Sequence, residues 1–364
     1  MQKRNLNKLK EISFPLASIL VALILGAIIM SAMGYDVGKA YSSLLKGAFG
    51  SKNSIAETLI QTTPLIFTAL SYAIALRCGL VNLGAEGQLY MGAICGSMVG
   101  AHIQGLPPVL HIILVLLCGF IGGALWGLIV AVLKMKFGAS ELITTIMLNY
   151  IALEFVSYCV TNPPFKDMTP GAAPRMPSVV DAVKLAIILP QTRLHFGIIL
   201  ALLAVVVYYI FMWKTTRGYE MRVIGMNPNA GRYSGMNIPV NSLLSMFIAG
   251  GFAGLGGTIN IIGLQYFLTE GFSNNFGFSG VAVALLGGCH PLGIIVSGIL
   301  FGALNAGGVK MQLLAKVPSA SIYMIQGMII IFAVSRELFI WFGRTGKSLI
   351  PGKSHNATGG TSNG

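Results

Sequence analysis

Residues 109–133 read VLHIILVLLCGFIGGALWGLIVAVL, with Pro107 and Pro108 in front and Lys134 and Lys136 close behind. These 25 residues contain no Asp, Glu, Lys or Arg. At 1.5 Å per residue, about 20 mostly apolar residues cross the roughly 30 Å hydrocarbon core of a bilayer. A helix that is apolar on every side has no face to offer water, so its solvent is lipid or other protein. The stretch therefore reads as a membrane span, opened by two prolines and closed by basic residues.

The rest of the chain repeats this pattern. Hydrophobic residues make up 55% of the 364 and charged residues only 10%, against about 25% charged in a soluble domain. The formal net charge is +13, which in a soluble protein would suggest nucleic acid. Here the basic residues sit at the ends of apolar runs, at Lys3, Arg4, Lys8, Lys10, Arg77, Lys134, Lys136, Lys214, Arg217, Arg222 and Arg232. That is the distribution of the positive-inside rule, and it argues against a nucleic-acid partner. The five cysteines (Cys78, Cys95, Cys118, Cys159, Cys289) lie in or beside apolar runs without metal-type spacing and read as free thiols. Neither a metal site nor a catalytic cluster is expected.

The runs place about ten helices, some broken, in an all-α polytopic membrane protein with both termini in the cytoplasm. The first covers about Ile12 to Met33, and residues 36–56 read as mixed sequence outside the membrane. Glu57 to Leu76 returns, with a kink predicted at Pro64. Leu83 to His102, the Pro107–Lys136 run and Glu141 to Val160 follow. Residues 161–194 form an extracellular loop with five prolines before residue 180. Phe196 to Trp213 leads into a basic cytoplasmic loop, 214–239, and Val240 to Ile262 crosses again. Residues 277–308 read as two short pieces split at Cys289-His290-Pro291. Ser319 to Ile340 is the last helix. Residues 1–350 thus form one transmembrane domain, and 351–364 a disordered polar tail.

Polar residues inside such a chain are costly and informative. Gly79 to Gln88 places Asn82, Glu86 and Gln88 among glycines at the start of an apolar run. Either this is a discontinuous helix lining a pathway, or Asn82 and Glu86 cap a helix start. Glu141, opened by Ser140 as a candidate cap, is followed by Thr145 and Asn149 on one helix face. They face inward, either to a pathway or to interhelical hydrogen bonds. In the cytoplasmic loop, Asn227 is a good N-cap, Pro228 suits the first helical position and Gly235 is a natural stop. Pro228 to Ser234 therefore reads as a short helix carrying Arg232 and Tyr233, either a docking element or a solvated connector. Gly346-Lys347-Ser348 imitates the end of a phosphate-binding loop. However, Trp341 stands where that loop needs glycine and Pro351 prevents a following helix. The chain has no nucleotide site of its own.

Several motifs resemble the permease subunits of bacterial ABC importers for nucleosides. They run from Asn82 to Gln88, from Glu141 to Tyr150, from Arg217-Gly218-Tyr219 to Tyr233-Ser234-Gly235, and from Gly280 to Gly287. The wider group includes ribose-type sugar and branched-chain amino-acid permeases, and the likeness covers roughly residues 57 to 340. This chain departs from the group at Gly288-Cys289-His290.

The resemblance implies a multi-pass protein of the bacterial plasma membrane that binds no cofactor. ATP would be used by a separate ATPase subunit. A second, homologous permease would complete a heterodimer, and an extracellular lipoprotein would deliver the nucleoside. Gly218, Gly225, Asn227, Pro228, Arg232, Tyr233 and Gly235 would then serve ATPase coupling. Asn82, Glu86, Gln88, Glu141, Thr145 and Asn149 would belong to the substrate pathway. Two other readings stay open: a sugar or other small-metabolite permease of the same group, and an ion-coupled carrier using Glu86 or Glu141.

Overall fold

The computed structural model describes residues 18–171 and 173–334. The expected polar tail at 351–364 and the expected cytoplasmic termini lie outside the described residues.

The described chain folds into thirteen α-helices: α1 (Ser18–Ala32), α2 (Val37–Phe49), α3 (Lys52–Arg77), α4 (Ala85–His102), α5 (Pro108–Phe137), α6 (Glu141–Thr161), α7 (Gly197–Lys214), α8 (Thr216–Met226), α9 (Pro228–Tyr233), α10 (Ile238–Asn260), α11 (Phe276–Leu286), α12 (Pro291–Ala315) and α13 (Ser319–Val334). Six are long and apolar enough to cross a membrane: α3, α5, α6, α7, α12, and α10 with the π-helical turn Ile261–Gln265 that extends it. The opening stretch forms α5, a 30-residue helix with Pro108 at its first position and Gly138 in the left-handed region at its end.

The bundle is arranged inside-out relative to a soluble protein. On α6, Thr145 and Asn149 are buried, whereas Ile143, Met147, Tyr150 and Ile151 are exposed. On α7, Leu203, Val206 and Ile210 face outward while Tyr208 is fully enclosed. Apolar side chains outside and hydrogen-bonding groups inside are what a lipid solvent selects.

The core forms around α10, which packs against α3, α4 and α5. Gly123 of α5 and Gly250 and Gly254 of α10 cross so closely that a Cβ on any of them would overlap the opposing backbone. Such small-residue crossings let membrane helices gain dispersion contact without a hydrophobic driving force. Thr258 of α10 ties that helix to α4 by donating to Gly92 O at 3.0 Å. Helix α3 continues through Pro64. The hydroxyls of Thr62, Thr63 and Thr68 donate to carbonyls one turn earlier, at 2.7, 2.9 and 3.0 Å.

The structure corrects two readings. Residues 36–56 are not merely mixed sequence. They form α2, whose Gly47 packs on Gly307 of α12, and the first turn of α3. The region 277–308 does split at Cys289–Pro291, but unequally. α11 has 11 residues, and α12 has 25, enough for a full span. The interval left between the run ending at Ile262 and the piece starting at 277 holds a π turn and a break at 266–275. There Tyr266, Asn274 and Asn275 adopt positive φ after the π turn. The loop 161–194 packs back onto the bundle. Met176 N and Val179 N donate to Leu268 O and Tyr266 O, each at 2.9 Å, closing this loop over the break.

Candidate functional site

The broken helices converge on one buried polar cluster. After α3 ends, Gly79 turns the chain at φ +79° and residues 80–84 lead back into the bundle to start α4. Asn82 and Gln88 face each other in a reciprocal amide pair. Asn82 Nδ2 donates to Gln88 Oε1 at 2.9 Å, and Gln88 Nε2 donates to Asn82 Oδ1 at 3.1 Å. Ser71 of α3 accepts from Asn82 Nδ2 at 3.1 Å, and Asn82 Oδ1 also accepts the Gly84 amide at 3.0 Å. Both amides are buried, and each hydrogen bond made there is worth more than in water because its absence would leave a dry polar group.

Glu86, only 3% exposed, does not cap its own helix. Its Oε2 accepts the amide of Gly277 at 2.6 Å, at the N-terminus of α11. The residue preceding α11, Asn275, is in the left-handed region and makes no side-chain cap. The carboxylate therefore does the capping from across the bundle, where the helix dipole favours negative charge. Gly277 is needed because a Cβ there would overlap the Glu86 backbone. Of the two residues read as capping a helix start, Asn82 holds the Gly84 amide and Glu86 caps α11 rather than its own helix.

Asn149 of α6 fastens the cluster from the other side. Its Oδ1 accepts the Gly87 amide at 2.8 Å, and its Nδ2 donates to Leu83 O at 2.9 Å. Thr145, one turn earlier, donates to Glu141 O within its own helix at 2.6 Å. Glu141 stands apart from the cluster, paired with Lys134 of α5 at 2.6 Å across the α5–α6 turn. Ser140 makes no side-chain cap. Asn82, Glu86, Gln88 and Asn149 are thus brought together, Thr145 lies beside them, and Glu141 does not join them. The partners Ser71 and Gly277 had no signal in the sequence, since each acquires its role only through contact with a distant segment.

The loop helix α9 is built as its sequence indicated. Asn227 Oδ1 accepts from Asn229 N and Ala230 N at 3.0 and 3.2 Å, Pro228 occupies the first turn, and Gly235 follows at φ +76°. Arg232 is exposed and Tyr233 is 93% exposed. Beneath it, α8 is seated by two glycines. A Cβ on Gly218 would overlap the Phe211–Met212 backbone of α7, and one on Gly225 would overlap Arg77 O at the end of α3. Glu220 of α8 pairs with Arg217 at 3.1 Å and accepts from Asn241 of α10 at 2.8 Å. The exposed helix is therefore one short rigid step from Gly79, where the chain turns into the polar cluster.

Among the described residues no group of three or more His, Cys, Asp or Glu is placed to hold a metal ion. The five cysteines are free.

This arrangement, a lipid-facing bundle with discontinuous helices, a satisfied polar centre and an exposed loop helix, defines a multi-pass membrane permease with a transport rather than a catalytic role. Residues 54–334 match the family described as branched-chain amino acid transport system / permease component, and the chain belongs to it. It is 38% identical over 335 residues to the guanosine ABC transporter permease protein NupP of Bacillus subtilis, covering 90% of this chain and 94% of that one. It is 37% identical to the nucleoside ABC transporter permease protein NupB of Lactococcus lactis subsp. cremoris, covering 88% and 92%. It is also 32% identical to the glucose ABC transporter permease protein TsgB13 of Haloferax volcanii, covering 89% and 87%. No solved structure matches the chain.

Proposed function

We propose that this chain is the membrane-spanning permease of an ABC importer for nucleosides in a bacterial plasma membrane, driven by ATP hydrolysis on a separate ATPase subunit. The observation that carries the reading is the path from α9 to the polar cluster: exposed Arg232 and Tyr233, then α8 seated through Gly225 on Arg77–Gly79, then Asn82, Gln88 and Glu86. The likeness to guanosine and nucleoside permeases supports the cargo. About ten membrane elements, with α8, α9 and both termini in the cytoplasm, complete the topology. A second, homologous permease forms the other half of the channel, and an extracellular lipoprotein delivers substrate.

In this mechanism the ATPase grips α9. Closure of its two nucleotide-bound halves moves α8, and α8 moves the turn at Gly79. Asn82, Gln88, Glu86 and Asn149 keep the α4 and α11 breaks as one rigid unit, so the motion reaches the translocation path instead of being lost in loose backbone. Their side chains are engaged with one another and with backbone, so we assign them to shaping the path. Thr145 supports Asn149 within α6, and the Glu141–Lys134 pair fixes the mouth of the α5–α6 hairpin. The exchange between inward- and outward-open states is a two-state shift biased by ATP.

Reconstituted uptake of labelled guanosine tests the cargo; competition by adenosine or inosine but not by ribose or glucose is expected. The likeness to a glucose permease makes sugar the second reading, and block by glucose with none by nucleosides would establish it. Arg232→Glu and Tyr233→Ala should leave folding intact while cutting ATP-dependent uptake at least tenfold. Normal uptake in both variants would remove α9 from the coupling path.

A further inference from the structure

Where α3, α8 and the end of α11 meet, a cavity of about 430 Å³ opens on the side of the bundle that carries the loop helices. Arg77 and Arg222 line it together with Gly225, Met226, Leu285 and Gly288. Both guanidinium groups lie over the Trp213 ring, at 5.4 and 5.8 Å from its centroid. Arg77 also donates to Gly288 O and Cys289 O, at 3.3 and 3.1 Å. Neither arginine belongs to any ion pair found among the described residues. The Nε of each is buried and has no hydrogen-bond partner.

Two guanidinium groups converging on one recess repel each other, and the burial of each Nε costs solvation that no carboxylate returns. Holding them on an aromatic ring spends no negative charge and leaves the Nε of each without an acceptor. A tetrahedral phosphate matches the guanidinium fork, because it accepts two parallel N–H bonds from each guanidinium it meets. The depth also fits. Tyr209 and Trp213 close the apolar run of α7, the position of an interfacial aromatic belt. Basic pockets at that depth between membrane helices suit phosphate headgroups. Leu76, Met226 and Leu285 supply an apolar wall beside the arginines.

We propose that this cavity is a phosphate-ester site. It takes the headgroup phosphate of an anionic phospholipid, or a free phosphate of the same chemistry, and ties α8 to α3 and α11. An anion there bridges Arg222 of α8 to Arg77 of α3. It thereby stiffens the step between the exposed loop helix and the turn at Gly79, and coupling becomes dependent on anion occupancy. The site does not depend on which substrate is carried.

The test uses the assembled transporter in nanodiscs of phosphatidylcholine, with and without phosphatidylglycerol. Native mass spectrometry reads retained lipid. Thermal unfolding in phosphatidylcholine discs reads inorganic phosphate against chloride at matched ionic strength. Phosphatidylglycerol should be retained over phosphatidylcholine. Arg222→Gln should weaken that retention about tenfold or more, the loss of a charge-assisted contact. Arg222→Lys should restore part of it, and Lys136→Ala, which removes a cation elsewhere, should not change it. Stabilisation by phosphate, without lipid retention and lost in Arg222→Gln, would identify a free phosphate as the source. Three results would overturn the proposal: preference for neither phosphate species, wild-type retention in Arg222→Gln, or retention by the isolated chain that vanishes on assembly. The last would mean that an acidic side chain of a partner fills the cavity. If Arg222→Gln does not assemble, the wild-type comparison of the two lipids and phosphate still decides.

Discussion

Removing the Glu86 carboxylate by Glu86→Ala takes away the acceptor 2.6 Å from Gly277 N, inside the bundle and away from water. The stranded amide costs about 1–3 kcal/mol. Loss of negative charge at the α11 N-terminus adds roughly 0.3–1 kcal/mol. The sum, about 1.3–4 kcal/mol, falls on the local opening of α11, because Asn275 supplies no side-chain cap of its own. At about 1.4 kcal/mol per tenfold, amide exchange near Gly277 should speed up by roughly 8- to 700-fold. Glu86→Gln keeps an acceptor oxygen and loses only the charge, so its effect should lie between the wild type and Ala. Hydrogen exchange on the transporter in nanodiscs, followed by peptides covering 273–286, measures this directly. Wild-type exchange in Glu86→Ala would refute the reasoning, since the break would then be held by something other than this carboxylate. An equal loss in Gln and Ala would assign the whole effect to charge.

Three other perturbations follow from the same geometry. Gly225→Ala forces a Cβ into Arg77 O and the Gly79 amide. It should cost about 1–3 kcal/mol by overpacking and reduce uptake more than ATP hydrolysis, as measured by thermal unfolding and by coupled uptake and ATPase assays. Asn149→Ala strands the Gly87 amide and the Leu83 carbonyl together. A loss of about 2–4 kcal/mol is expected, read as a lower midpoint in thermal unfolding, with Asn149→Asp intermediate because it retains the acceptor. His195, two residues before α7, is held by burial at a pKa of about 4, below its ordinary 6.5. Its Nδ1 accepts the Gly197 amide at 3.1 Å. The unfolded chain therefore binds the extra proton first as pH falls. The stability from neutral His195 is complete above about pH 6.5 and is lost toward pH 4, by up to about 3 kcal/mol. Thermal midpoints against pH should show this slope, and His195→Gln should flatten it.

Much of this molecule is legible along the chain because lipid imposes a simple rule. A span must be long, apolar and internally hydrogen-bonded, so α3, α5, α6, α7 and α10 appear as long apolar runs. The loop helix α9 is legible for another reason: its Asn227 cap, Pro228 start and Gly235 stop act within three residues of the groups they satisfy. α2 was hidden because its apolar residues are interrupted by small and polar ones that become buried only against α12. The end of the α10 run near Ile262 was legible, but the π turn was not, because residues 176–185, distant along the chain, supply the backbone bonds to Ile262, Tyr266 and Leu268.

The sequence by itself determined that the chain lives in a membrane, that polar residues gather near Gly79–Gln88 and on α6, and that a capped helix stands in the basic loop. Each of those rests on composition or on contacts within one helical turn. Only the tertiary structure decided what the polar residues do. Glu86 caps a helix 191 residues further along the chain, Asn82 and Gln88 satisfy each other, and Asn149 holds the turn of another helix. A buried polar group must find a partner wherever the fold brings one, and sequence spacing carries no record of that distance.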